Sequence, residues 1–210
     1  MTKIIKKVLL STLLVTTLSL IGCSPKESII DEVRTPPKNL PVATISILGY
    51  EDIEAELYPH IAPNTVNNFI YLANNGFYDG LTLHRIVKDF VLQGGCPDGT
   101  GMGGPGYSIK GEFTNNNFKN GLKHGEGILS MARSQDNDSA GSQFFIVTKD
   151  APNLNNDYAS FGKVIKGMSI INELNNTKVG SNDKPEKDIV IESIKVDTKG
   201  ENYEEPERLK

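Results

Sequence analysis

The chain has 210 residues, 38% of them hydrophobic, no Trp, and a net charge of −4 at neutral pH. That length fits one domain of about 150 residues with extensions, and the apolar content is too low for a protein that crosses a membrane many times. The acidic balance argues against a nucleic-acid partner, which needs a basic surface.

The first residues read as a targeting segment. Lys3, Lys6 and Lys7 precede an apolar run over residues 8–21, shorter than the about 20 residues a spanning helix needs. The run ends in Leu20-Ile21-Gly22-Cys23, which resembles the lipobox of bacterial lipoproteins. Residues 1–22 are therefore expected to be a signal peptide and Cys23 a lipid-attachment site. Those residues hold three lysines and no acid, so the remainder has 19 basic and 26 acidic side chains and a net charge of −7. Membrane contact is then expected through the acyl chains of the N-terminal anchor, on the extracytoplasmic face, and not through charge. With Cys23 acylated, Cys96 has no partner, so no disulfide is expected. Cys96 reads as a small buried or semi-buried thiol and not as a nucleophile.

Residues 23–41 are polar, with Pro25, Pro36, Pro37 and Pro41, and read as a tether. Residues 42–48 form a first strand. In residues 53–58, Ile53, Ala55 and Leu57 alternate with acidic residues, the pattern of a half-buried antiparallel strand. Val66, Phe69, Ile70 and Ala73 share one helical face, and Gly76 is placed to close that helix. Residues 83–87 and 90–93 predict two short strands around a polar turn. Period-two alternation puts Leu83, Arg85 and Val87 on one face, His84 and Ile86 on the other, and Val91 with Gln93. A cation and an amide among apolar residues suit a site that grips a peptide backbone beside an apolar pocket. Residues 94–111 form a glycine-rich loop that includes Gly99. It lacks the Gly-Lys-Ser/Thr of a phosphate cradle.

Strands follow over residues 127–133 and 142–148. Phe144 and Phe145 are adjacent, so one must face the core and the other the outer surface, where a binding groove would shelter it. A strand over residues 161–165, a short helix around Met168, Ile171 and Leu174, and a last strand over residues 189–196 complete the domain. Residues 197–210 are a charged tail, expected to be disordered. Eight short antiparallel strands and two helices predict an all-β-dominated fold, a closed eight-stranded barrel capped by two α-helices, over residues 42–196.

The segments His84-Arg85-Ile86, Phe90, Gln93-Gly94-Gly95, Gly127-Ile128-Leu129-Ser130-Met131-Ala132, Gly141-Ser142-Gln143-Phe144-Phe145-Ile146 and Phe161-Gly162-Lys163-Val164 occur in this order. Together they resemble the cyclophilins, which are peptidyl-prolyl cis-trans isomerases. The resemblance implies catalytic roles for Arg85, Phe90, Gln93 and Phe145. It implies a substrate-binding set of Val91, Gly99, Ala132, Arg133, Gln143, Leu154 and Tyr158. Val91 stands where the family often has Met, Arg133 where an Asn is common, and Tyr158 where many members have His. The expected substrates are proline-containing polypeptides, exported or unfolded, whose X-Pro bonds are isomerised to assist folding outside the cytoplasm. No cofactor or metal is implied, and a monomer is expected.

Two rival readings remain. A proline-pocket domain could bind peptides without turning them over; Arg85 with Phe90, Gln93 and Phe145 favours catalysis. A hydrolase or zinc site is disfavoured, because His60, His84 and His124 have no evident Ser or Cys partner and no ligand spacing.

Overall fold

The computed structural model describes residues 34–209. The expected signal peptide, Cys23 and the first part of the expected tether lie outside the described residues. Eight strands, β1 (Val42–Ile47), β2 (Ile53–Leu57), β3 (Arg85–Val87), β4 (Val91–Gly94), β5 (Ile128–Met131), β6 (Phe144–Val147), β7 (Ser160–Lys166) and β8 (Ile191–Asp197), form one antiparallel sheet, with helices α1 (Pro63–Asn74) and α2 (Met168–Leu174). The sheet order is β3-β4-β6-β5-β7-β2-β1-β8.

The sheet curls strongly but does not close. β3 and β8 are its two edges, and only an isolated bridge, Thr82 to Val190, joins the segments beside them. The closed barrel predicted from the strand count is therefore corrected to an open, strongly curled half-barrel. The physical reason is where the chain makes its bonds: the start of β8 and the residues before it pair with the segment ahead of β3, Ile191 donating to Leu81 O at 2.7 Å and Leu83 to Ile189 O at 2.9 Å, so β3 itself has no ladder to β8.

That segment also breaks the predicted alternation. The ladder starts at Arg85, so period two does not reach back to residues 83–84. Leu83 joins the main core instead of the Arg85 face, and buried His84 lines a cleft beside Arg85.

Inside the curl, Ala43, Ile45, Ile53, Ala55 and Leu57 interlock with α1 through Val66, Phe69 and Ala73 and with α2 through Ile171 and Leu174. Phe69 anchors an aromatic cluster, with ring centroids 5.4 Å from Tyr78, 5.5 Å from Phe144 and 5.1 Å from Phe161. Such contacts add to simple area burial.

Both ends of α1 are capped, by different means. At the C-terminus Gly76, at φ +74°, donates to Ala73 O at 3.0 Å and Phe77 to Leu72 O at 3.0 Å, the paired bonds of a Schellman motif. At the N-terminus Ala62 offers no side-chain cap. The buried carboxylate of Glu112 substitutes, accepting from Asn64 N at 3.0 Å and Thr65 N at 2.7 Å. It satisfies two otherwise orphaned donors at the positive end of the helix dipole. Burial still raises the Glu112 carboxyl above 4.5, outweighing the hydrogen bonds from Thr65 and Asn64 that favour the anion.

The tail expected to be disordered is ordered to residue 209. Leu209 N donates to Ser108 O at 2.7 Å, Asn64 exchanges hydrogen bonds with the Glu207 backbone, and the Arg208 guanidinium lies 4.6 Å from the Tyr71 ring centroid and 4.7 Å from that of Tyr107. Its charged composition suggested solvation, but the backbone bonds and cation–π contacts tie it down. The last tether residues are also docked, with Arg34 over the Phe118 ring at 4.3 Å.

Replacing Glu112 by Ala should destabilise the domain by about 1–3 kcal/mol, because two helix-end N–H groups lose their acceptor. Urea unfolding measures this, and an unchanged midpoint would show that the helix end does not depend on the carboxylate.

Candidate active site

Strand register builds the site. Arg85 pairs with Gln93, Gln93 with Phe145, and Phe145 with Ser130. Side chains directly across an antiparallel ladder point to the same face. Arg85, Gln93 and Phe145 therefore stand in one row across β3, β4 and β6. The next row, Ile86, Leu92, Ile146 and Leu129, points the other way into the core. The adjacent pair divides as expected: Phe144 belongs to the main core, and Phe145 to a smaller apolar cluster with Val91, Ile128, Val147, Ala151 and Leu154.

That cluster floors a cavity of about 170 Å³ lined by Arg85, Phe90, Val91, Gln93, Ala132, Arg133, Phe145, Leu154 and Tyr158. Two residues of the expected set lie elsewhere. Gln143 lines an adjoining cavity of about 330 Å³ and Gly99 a cleft of about 730 Å³; both share Gln93 with the first cavity.

A directional chain of amides fixes the Arg85 head group. Arg85 Nη1 donates to Gln93 Oε1 at 3.2 Å, Gln93 Nε2 donates to Gln143 Oε1 at 3.0 Å, and Gln143 Nε2 donates to the carbonyls of Gly101 at 2.9 Å and Gly103 at 2.8 Å. The loop that supplies those carbonyls is tied by Cys96. Its buried thiol donates to Asp98 Oδ1 at 2.9 Å and accepts from the N–H groups of Gly101 and Gly103 at 3.2 and 3.3 Å. The thiol, with the hydroxyl and N–H of Thr100, holds the Asp98 carboxyl down to about 2.

Arg133 does not project into the cavity as a free cation. Its Nε donates to Asp157 O at 2.9 Å and its Nη1 to Ser134 O at 2.9 Å, while the guanidinium stacks 5.0 Å from the Phe113 ring and 4.9 Å from Tyr158. It is a flat wall. The Ala132 N–H is taken by Gln143 O at 2.9 Å, leaving the Ala132 carbonyl and the Arg133 amide for an incoming chain.

Behind Phe145 stands a histidine whose neighbours the sequence did not reveal. His124 stacks on Phe145 at 6.0 Å and 22°, with Tyr158 edge-on to Phe145 at 5.7 Å. Its Nε2 lies 3.0 Å from Ser130 Oγ and its Nδ1 3.2 Å from Asn155 Oδ1. This corrects the expectation that no histidine has a serine partner. The arrangement is still unsuited to hydrolysis, because His124 is 2% exposed and Ser130 is fully buried, so no carbonyl can approach the hydroxyl. The three groups brace the cavity wall. Only spatial pairing exposes them, since Ser130 follows His124 by six residues and Asn155 lies much further on. Asp183, 3.5 Å from Arg85 Nε, also escaped the sequence, where it reads as an ordinary turn residue.

The arrangement thus presents a fixed guanidinium and a fixed amide at the rim of a small apolar cavity, beside an open stretch of backbone. The comparisons with known proteins agree with that chemistry. The family model described as "Cyclophilin type peptidyl-prolyl cis-trans isomerase/CLD" matches residues 42–196. Peptidyl-prolyl cis-trans isomerase B of Bacillus subtilis is 53% identical over 127 residues, covering 60% of this chain and 85% of that protein. A putative peptidyl-prolyl cis-trans isomerase of Staphylococcus aureus is 40% identical over 177 residues, covering 70% of this chain and 87% of its own. The crystal structure of a Cryptosporidium parvum cyclophilin-type isomerase superposes with a TM-score of 0.69 at 34% identity, covering 76% of this chain and 98% of its own. The same protein, solved in the presence of the dipeptide Ala-Pro, gives 0.68 at 35% identity. The chain belongs to the cyclophilin family and is a peptidyl-prolyl cis-trans isomerase.

Burial pushes the His124 imidazole below its ordinary 6.5, against the hydrogen bond that its Nδ1 gives to Asn155 Oδ1. Below pH 6.5 the unfolded chain binds a proton that the folded one refuses, so His124 makes stability rise with pH through that window. His124→Gln should flatten the rise in urea midpoint across it. A slope equal to that of the unaltered protein would show the buried ring to be already protonated.

Proposed function

We propose that Arg85 accelerates rotation about X-Pro bonds by donating a hydrogen bond to the prolyl nitrogen of the twisted amide, in polypeptides that have crossed the cytoplasmic membrane. The observation that carries the catalytic reading is the guanidinium pinned by Gln93 at the rim of the 170 Å³ apolar cavity.

The barrier to amide rotation is about 18–20 kcal/mol, because twisting breaks resonance. No bond is made or broken, so neither a nucleophile nor a proton shuttle is required. Catalysis needs a site that binds the twisted amide better than either planar form. Twisting returns the lone pair to the prolyl nitrogen, which then accepts a hydrogen bond it cannot accept when planar. An arginine suits the task because it is always charged and its fork of donors is planar and rigid. Phe90, Val91, Phe145 and Leu154 hold the pyrrolidine ring by apolar contact. Gln93 and the backbone at Ala132 and Arg133 hold the chain, so that rotation is confined to one bond. Gln143 and Gly99 act around this centre, the first by fixing Gln93 and the second by lining the adjoining cleft. The parasite relative solved with Ala-Pro supports a proline-containing peptide as the ligand here.

The cellular setting rests on the basic, short apolar and Leu20-Ile21-Gly22-Cys23 pattern of the N-terminus. Acylated at Cys23, the domain would be held at the outer face of the cell membrane. There it meets exported chains before slow prolyl steps are complete.

Arg85→Ala should lower kcat/KM on an Ala-Pro peptide by about a hundredfold, the loss typical of one aimed transition-state donor, with the fold intact by circular dichroism. Unchanged turnover by NMR exchange would remove Arg85 from the mechanism, and a folded wild-type domain that binds the peptide without turnover would leave only a binding role. In cells fed labelled palmitate, the wild-type chain should carry label and sediment with membranes, and Cys23→Ser should do neither. Equal labelling or sedimentation of the two would overturn the anchor.

A further inference from the structure

We propose that Asp183 is a positioning residue for Arg85. Its carboxylate Oδ2 lies 3.5 Å from Arg85 Nε. Gln93 Oε1 accepts from the same guanidinium at 3.2 Å from Nη1. A guanidinium carries five N–H groups in a rigid plane. One hydrogen bond at Nη1 leaves the plane free to swing about the Nη1···Oε1 line, and the Asp183 charge favours the orientation that keeps Nε beside it. The N–H groups on Nη1 and Nη2 are thereby biased toward one direction for the prolyl nitrogen. Since only a guanidinium already in place donates at the moment the amide twists, this orientation bears on the rate and not on ground-state affinity.

The loop that carries Asp183 is built to hold it there. Residues 181–183 form a 3-10 turn in which both Asn182 and Asp183 adopt left-handed backbone, at φ 59° and 58°. Two consecutive non-glycine residues in that region are uncommon, although Asn and Asp tolerate it best. The turn is clamped at its base by Gly180 N to Lys184 O at 2.8 Å, by Glu186 N to Lys178 O at 3.0 Å, and by the bridge between Val179 and Pro185. Asp183, Lys184 and His84 line the cleft that shares Arg85 with the apolar cavity, and none of the three lines that cavity. Asp183 therefore touches the arginine from outside the proline pocket and need not touch substrate. The side chains of Arg85 and Asp183 are 38% and 45% exposed, so the pair is screened by salt and its effect is moderate.

This assignment rests on Arg85 being the donor to the prolyl nitrogen, and the experiment separates the two. Exchange NMR on an Ala-Pro peptide gives kcat and KM for Asp183→Asn, Asp183→Ala and Asp183→Glu, each in the wild-type and Arg85→Ala backgrounds, at low and high salt. Asp183→Asn and Asp183→Ala should each lower kcat about three- to fivefold at low salt, the range open to an exposed ion pair, with KM within about twofold. High salt should narrow the gap. Asp183→Glu should keep most of the rate, and in the Arg85→Ala background none of the substitutions should matter. Wild-type kcat in Asp183→Asn, or an equal loss when Arg85 is already absent, would overturn the positioning role while leaving Arg85 in place. Unimpaired turnover in Arg85→Ala itself would remove both residues together.

Discussion

Everything at the site depends on the register between β3, β4 and β6. Because side chains alternate between the faces of a strand, a slip of one residue would send Arg85, Gln93 and Phe145 inward and bring Ile86, Leu92 and Ile146 out. The inner row belongs to the main core; of the outer row, Phe145 belongs to the small apolar cluster under the cavity, and Arg85 and Gln93 line that cavity beside it. Burying the inner row therefore fixes the outer one. The hydrophobic effect that stabilises the curled sheet also aligns a cation, an amide and an aromatic ring, with no separate scaffold for the chemistry.

Beyond that row, orientation comes from polar contacts that run one way. The Gly101 and Gly103 carbonyls take the Gln143 amide, which directs its oxygen to Gln93 and so leaves the Gln93 oxygen for Arg85. An amide can flip in isolation, but a chain that ends on carbonyls at one side and on an always-charged donor at the other has only one consistent arrangement. Cys96 enters as the pin of the loop at the carbonyl end. The thiol that looked inert from sequence is structurally connected to the arginine through four hydrogen-bonded links. On the aromatic side, His124, Ser130 and Asn155 do for Phe145 what the amides do for Arg85. A neutral ring held by two polar partners stacks behind the cavity wall and stops it from collapsing or swinging.

The remainder of the molecule shows how distant segments complete a small domain. The N-terminus of α1 has no local cap and borrows one from Glu112, and the tail lies across that same helix to reach Tyr107 and Ser108. Tyr107 lines the cavity beside Gln143 and donates to Asn68 of α1 at 2.8 Å. The helix, the tail and the rim of the substrate groove thus share polar contacts, and order in one favours order in the others.

The sequence by itself determined most of the strands, both helices, the closing role of Gly76, the division of labour between Phe144 and Phe145, and the residues that line the cavity. The elements follow from short-range rules, period two in strands, period 3.6 in helices and the backbone freedom of glycine, whereas the cavity residues came through the resemblance to the cyclophilins. What depended on tertiary structure was which groups meet in space. The sheet stays open because the start of β8 pairs with the segment ahead of β3 and not with β3 itself, which no strand count reveals. Leu83 and His84 change faces because the ladder begins only at Arg85. The charged tail is ordered because Tyr71, Tyr107, Asn64 and Ser108 are there to receive it. Asp183 faces Arg85, and His124 meets both Ser130 and Asn155, because folding brings these segments together in space. Pairwise electrostatic and hydrogen-bond contacts act over a few ångströms of space, whatever their distance along the chain, and only the folded backbone decides which groups come that close.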